Sequence, residues 1–169
     1  MTIRIAVRDD LPEMVSLWLE LMKYHSHMHP AFELNLNAQR YARQELAMRL
    51  REPTTRFFVC DTGKGVLAGM IATHYHYTAP SQRLMWRGYI AETVVRKAFR
   101  GQGIGERLVN TAKEWLVAMG VDFIELQVAP ANERGVSFWK KQGFEPITYH
   151  MAWVVGREGK GKEGRGTGE

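Results

Sequence analysis

Three glycines stand at alternate positions in Arg100-Gly101-Gln102-Gly103-Ile104-Gly105, with Glu106 next. An apolar stretch, Thr93-Val94-Val95, leads into the run, and a segment of helical periodicity leaves it. The first amides of a helix lack intrahelical partners and sit at the positive end of its dipole. Glycines let a ligand approach the main chain and permit the φ values that make amides converge. Such a turn suits a phosphate or diphosphate. Arg100 adds a full positive charge at the rim. Two common phosphate designs do not fit. A Walker loop needs a Lys and a Ser or Thr after its last glycine, and here Glu106 and Arg107 follow Gly105. A dinucleotide fingerprint spaces its glycines GxGxxG, whereas these are spaced GxGxG. A purely structural glycine turn is the bland alternative.

Other residues have chemistry available and an ordinary explanation beside it. Cys60 is the single cysteine, so no intrachain disulfide forms. It lies in the apolar run Phe57–Cys60 and reads as a small core residue rather than a nucleophile. His25, His27 and His29 alternate, but no acidic or cysteine partner sits at metal-ligand spacing, so no metal is expected. His74 and His76 share one strand face, opposite Tyr75 and Tyr77.

The elements that must carry these residues follow from periodicity. Ile3–Val7 alternates as a first strand. Asp10, Pro12 and Glu13 look like a helix start with a capping box. Leu11, Met14, Val15, Trp18, Leu21 and Met22 then form one apolar stripe. A second helix spans about 38–51 and stops before Pro53. Arg56–Asp61 and Val66–Tyr77 read as strands around a hairpin turn, Asp61-Thr62-Gly63-Lys64-Gly65. Arg83–Val95 is a third strand of this run, and Gly103–Met119 is the clearest helix, closed by Gly120. Phe123–Val128 is a strand and Glu133–Gln142 a short helix. Phe144–Val155 alternates as a final strand, with Ile147, Tyr149, Met151, Trp153 and Val155 on one face. Met151 and Trp153 are expected in the core or at a dimer contact. The order β-α-α-β-β-β-α-β-α-β implies an α/β fold with a mixed, mostly antiparallel sheet. The unit from Arg83 to Val128 pairs parallel because its crossover is a helix.

Length and composition agree with one such domain. The chain has 169 residues, 45% hydrophobic and 24% charged, which excludes collagen, a disulfide scaffold and wholesale disorder. Residues 1–155 are read as the domain and 156–169 as a Gly-rich, charged tail without order. The formal charge of +5 would help attract a polyanion. No nucleic-acid module motif is present. No apolar run approaches the ~18 residues of a membrane span. A cytoplasmic location is the default expectation.

The loop, with its surroundings, resembles the GCN5-related N-acetyltransferase (GNAT) family. That family's coenzyme A loop reads Q/R-x-x-G-x-G/A, and Arg100, Gly103 and Gly105 fit it. The family often places an Asn at the start of the next helix, then an aromatic pair and a Gly-Phe. This chain has Asn132, Phe138-Trp139 and Gly143-Phe144. The opening Ile5–Pro12 is similar to the family's first strand and helix start, so the resemblance covers roughly 1–155.

The resemblance implies an acetyl-CoA-dependent N-acetyltransferase. The amides of Arg100, Gly101, Gln102, Gly103, Ile104, Gly105 and Glu106 would hold the diphosphate. The pantetheine arm would lie along Thr93, Val94 and Val95 like an added strand, with Phe123–Val128 splayed away from it. Asn132 would reach that arm, and Trp139 would pack beside it. A primary amine would attack the thioester directly in a ternary complex, with a main-chain amide near Val94 or Val95 facing the oxyanion. Glu92 is the candidate base, acting through water, with pairing to a neighbouring cation as its ordinary alternative. The family's usual acid, a tyrosine, is replaced by Trp139, whose N–H cannot supply a proton. Either Tyr149 or water serves instead, or the thiolate leaves unaided. A non-catalytic acyl-CoA-binding or sensing module is the alternative function. Partners would be acetyl-CoA and an amine acceptor, with no nucleic acid and no membrane, and a homodimer is expected by analogy of fold.

Overall fold

The computed structural model describes residues 1–155. The tail expected to lack order lies outside them. Nine elements follow in chain order: β1 (Thr2–Ile5), α1 (Leu11–Ser26), α2 (Ala38–Arg49), β2 (Thr55–Asp61), β3 (Leu67–Tyr77), β4 (Trp86–Val95), α3 (Ile104–Ala118), β5 (Phe123–Leu126) and α4 (Glu133–Lys141). Single 3-10 turns lie at Arg8–Asp10, Pro30–Phe32 and Lys97–Phe99.

The sheet runs β1-β2-β3-β4-β5. Its first four strands pair antiparallel and β4–β5 pair parallel, as the helical crossover requires. Each face buries its own core. Met14, Leu17 and Leu46 from α1 and α2 cover Phe57, Val59, Met70 and Val94. On the other face Ile104, Leu108, Ala112 and Leu116 of α3, with Trp139 of α4, cover Phe58, Ile71 and Ile90. The α3 residues are the apolar stripe read from the sequence, and Ile104, Leu108 and Leu116 each contribute about 1.5–3 kcal/mol by leaving water. Cys60 is fully buried in this second core.

Two expectations are corrected. Asp10 does not cap α1 with its side chain. Its carboxylate accepts from the Val7 amide at 2.8 Å and from Arg4 at 2.7 and 2.8 Å. Glu13 closes no capping box; it accepts from the Leu67 amide at 3.1 Å and from Arg96 at 3.0 Å. A carboxylate prefers a guanidinium to a lone amide, because the charge-assisted bond is stronger.

The final strand is also absent among the described residues. The last main-chain hydrogen bond toward the C-terminus is Phe144 N–H to Trp139 O, at 3.1 Å. Beyond it the alternating residues face water: Met151 is 89% and Trp153 78% exposed, so neither is core. Alternation makes a strand only where a neighbouring edge satisfies the backbone, and here none does.

Candidate active site

The site is built where β4 outruns β5. Pairing between the two covers Arg87–Ile90 against Phe123–Leu126 and then stops. Ala91–Val95 therefore keep β3 on one side and have an open edge on the other. A bulge marks the parting: Ile71 pairs Thr93 but Thr73 pairs Ile90, so Ala91 and Glu92 stand against one residue of β3. Bulges bend a strand and raise its local twist, and this one falls where the pairing with β5 ends. The edge expected for the pantetheine arm is thus left without a strand partner beyond Ile90.

Strand direction fixes which groups meet the open edge. Arg96 N–H bonds Ala68 O on β3 at 2.9 Å. A Cβ added at Gly69 would lie 2.7 Å from Val94 O, so that carbonyl also faces β3. Val95 lies between them and points the other way, and its carbonyl accepts from Arg100 Nε at 2.9 Å. Of the two amides considered for the oxyanion, Val95 N–H is the one on the open edge. Thr93 Oγ1, on the same stretch, is buried without a hydrogen-bond partner among the described residues.

The glycine turn lies at the end of this edge. Gly101 and Gly103 have φ of 76° and 70°, and a Cβ at either would meet nothing within 4 Å. These φ values are strained for any side chain, which is why glycine stands there. The first bond of α3 is Arg107 N–H to Gly103 O at 3.1 Å. Among the described residues the N–H groups of Gly101, Gln102, Gly103, Ile104, Gly105 and Glu106 have no acceptor. Gly105 serves packing: a Cβ there would sit 3.4 Å from the Phe138 ring. Phe138 is thus the aromatic residue beside the loop, a neighbour that the sequence reading passed over in favour of Trp139. Arg100 is half exposed, and its guanidinium also lies 3.7 Å from Glu20.

Asn132 caps α4, accepting from Gly135 N–H at 3.0 Å, and its Oδ1 also takes the Tyr24 hydroxyl at 3.2 Å. Trp139 turns into the core, edge-on to Phe138 and Phe144 with centroids 5.1 and 5.5 Å away. Glu92 is not free: both its oxygens accept from Arg49 of α2. Tyr149 is 86% exposed on the segment after α4. His74 stacks at 5.2 Å on Tyr89 and at 5.9 Å on His76. Burial lowers its pKa, aided by Arg49 and His76 and opposed by Glu92 and Glu52. Burial also raises the Tyr89 phenol, with Glu125 and Glu92 adding to it. His25 and His29 pack against Phe32, at 6.3 and 5.9 Å.

A parallel strand pair that ends short of an anion-ready turn defines a class, and comparison names it. A sequence profile of the acetyltransferase (GNAT) family matches residues 14–144, and the chain belongs to that family. An uncharacterized N-acetyltransferase of Methanocaldococcus jannaschii is 26% identical over 153 residues, 90% of this chain and 64% of that protein. The N-alpha-acetyltransferase 30 of Schizosaccharomyces pombe is 36% identical over 58 residues, 34% of this chain and 39% of that one. The chain thus spans less than two thirds of these relatives. Among solved structures, a tetramutant protein of Bacillus halodurans superposes with a TM-score of 0.82 at 22% identity, over 92% of this chain and 100% of that one. An aminoglycoside N-acetyltransferase in complex with CoA gives 0.69 at 16% identity, over 90% and 93%. At these identities the structures establish the fold. Among the described residues no helix is long and apolar enough to cross a membrane.

Proposed function

We propose that this protein transfers an acetyl group from acetyl-CoA to a primary amine. The observation that carries the reading is the run of unpartnered amides from Gly101 to Glu106, set at the end of an unpaired strand edge. The amides and the dipole of α3 hold the diphosphate, with Arg100 moving off Val95 O and Glu20 to join them. The pantetheine arm then takes the edge that β5 leaves, bonding the main chain of Thr93 and Val95. The orphaned Thr93 hydroxyl gains a partner in the arm's amides. Asn132 flanks the arm from the start of α4, and Phe138 closes the space beside Gly105. Trp139 supports this wall from the core.

The amine nitrogen attacks the thioester carbon, and the oxyanion forms against Val95 N–H. The C–S bond then breaks, leaving an amide and coenzyme A. Glu92 assists proton removal through a water, since Arg49 occupies both its oxygens directly. On the same reading the enzyme acts in the cytoplasm, as a homodimer that covers the apolar residues of 147–155.

Calorimetric titration with coenzyme A, followed by thiol release with a panel of primary amines, tests this. Micromolar binding and turnover of at least one amine are expected. Absence of binding would overturn the reading. Tight binding without turnover of any amine would favour an acyl-CoA sensor.

A further inference from the structure

Helix α1 runs from the end of β4 to the start of α4. Its Glu13 bonds Leu67 and Arg96 beside the end of β4. Glu20, two turns on, lies 3.7 Å from Arg100 at the rim of the glycine turn. Tyr24 follows on the same face, one turn or about 6 Å further. Its hydroxyl donates to Asn132 Oδ1, at the first turn of α4, at 3.2 Å. One helix face therefore runs from the loop rim across the open edge to the residue flanking the far side.

We propose that the Tyr24 hydroxyl is the hydrogen-bond donor to the coenzyme A sulfur and gives its proton to the thiolate that acetyl transfer releases. This rests on the coenzyme A reading above. The other phenols and the indole near the cleft are committed elsewhere. Trp139 packs in the core, and its N–H gives no proton. Tyr75 is wedged between Trp86 and Trp115, at 6.1 and 5.7 Å. Tyr89 lies on the stretch of β4 still paired with β5, stacked on His74. Tyr149 is on the exposed segment after α4, 86% exposed.

Tyr24 is placed to move. It is 47% exposed, and its hydroxyl makes a single 3.2 Å hydrogen bond among the described residues, to an oxygen that already serves Gly135 N–H. Asn132 keeps its cap when the phenol turns away. Gly135 makes that cap possible, since a Cβ there would lie 2.4 Å from Asn132 Nδ2. In the reaction the N–C bond forms and the C–S bond breaks, with the electron pair remaining on sulfur. The sulfur takes the Tyr24 proton. The phenolate recovers a proton from solvent, which has received one from the acylated amine.

The test uses the full chain and coenzyme A alone, so it needs no acceptor. The thiol of bound coenzyme A is titrated by the ultraviolet absorbance of its thiolate, in the wild type and in Tyr24→Phe. The variant keeps the ring against His25, 5.9 Å away. A hydrogen bond to the thiolate favours ionisation, so its loss should lower the acid constant of the bound thiol about tenfold. The Kd at low pH, where the thiol is neutral, and the Tm should not change. Identical thiol titrations in two proteins that both bind coenzyme A would overturn this proposal alone. Failure of the wild type to bind coenzyme A would overturn the underlying reading, and this proposal with it.

Discussion

Arg49 grips both carboxylate oxygens of Glu92, Nη1 to Oε1 at 2.7 Å and Nη2 to Oε2 at 3.0 Å. Each side chain is 13% exposed. The pair ties the end of α2 to the bulge in β4, and the guanidinium also lies 5.0 Å over the Phe57 ring. Burial works against the arginine's charge, but Glu92, with Glu45 and Glu52 behind it, leaves its pKa raised. Removing one partner strands a buried charge. Glu92→Gln and Arg49→Met should each cost about 3 kcal/mol in urea unfolding, and the Glu92→Leu/Arg49→Met double variant less than either. If Glu92 also assists proton removal, Glu92→Gln loses turnover most at low pH. The shortfall then shrinks as pH rises and more amine arrives deprotonated. A uniform loss across pH would leave Glu92 a structural role only.

Gly103 has φ of 70° and open space where a side chain would point. Gly103→Glu should keep the fold at a cost of about 1–2 kcal/mol, since only the backbone is strained. The added carboxylate would project among the amides proposed to hold the diphosphate. Coenzyme A binding should be lost while the circular dichroism spectrum is retained. Unchanged affinity in a calorimetric titration would refute the loop as the binding site.

Gly69 lets β3 approach β4 at the end of the open edge. An added Cβ would lie 2.7 Å from Val94 O, too close for any real contact, and 3.2 Å from Val95 Cγ2, which would have to give way. Gly69→Ala must push the strands apart, at a cost of about 1–3 kcal/mol. Because Val95 moves with the strand, coenzyme A affinity should fall as well. Stability and affinity measured on the same preparation check that both change together.

Acid should destabilise the protein in two steps. Burial lowers the pKa of His74 and His25 from 6.5 in the folded state. The unfolded chain therefore takes up protons first, and stability declines as pH falls below about 6.5. His74 is faced by Arg49, His76, Glu92, Glu52 and Tyr89, so its protonation adds a cation beside an existing one. Asp10 supplies the second step. The hydrogen bond from Arg4 lowers its pKa, and the Val7 amide adds to this against desolvation. Its contribution is present above the ordinary carboxylate pKa and is lost as pH falls through the lower folded value. Urea midpoints from about pH 8 to about pH 3 should trace both steps. His74→Gln should flatten the first and Asp10→Asn the second.

Much of this arrangement was legible in the residues. The helix after the glycines follows from the spacing of Ile104, Leu108, Ala112 and Leu116, and the parallel pairing from the crossover it makes. The glycine turn itself is a local signal, because φ above zero selects the residue type. What depended on distant partners was hidden. Glu13 has the pattern of a helix-cap partner, yet Arg96 claims it from 83 positions away, and even Arg4, only 6 positions from Asp10, displaces the cap expected there. Glu92 finds Arg49 across 43 positions of sequence. The alternation of Phe144–Val155 states a strand's side-chain pattern but not whether an edge is there to receive it. The Tyr24–Asn132 contact spans 108 positions, and no spacing in the sequence announces it.

Phe138 and Trp139 are adjacent in α4 but pack differently. The Phe138 ring stands where a Cβ at Gly105 would be 3.4 Å away, beside the first turn of α3. Trp139 is 9% exposed and packs edge-on to Phe144 in the core beneath α3. Phe138→Ala should open the wall beside the loop and weaken coenzyme A binding. Trp139→Ala should instead leave a cavity and cost about 3–5 kcal/mol of stability. Trp139→Phe refills most of that volume, so it should recover stability and keep wild-type coenzyme A affinity. If Trp139→Phe lost affinity at unchanged stability, the indole would be touching the bound arm, and its assignment to the core would be wrong.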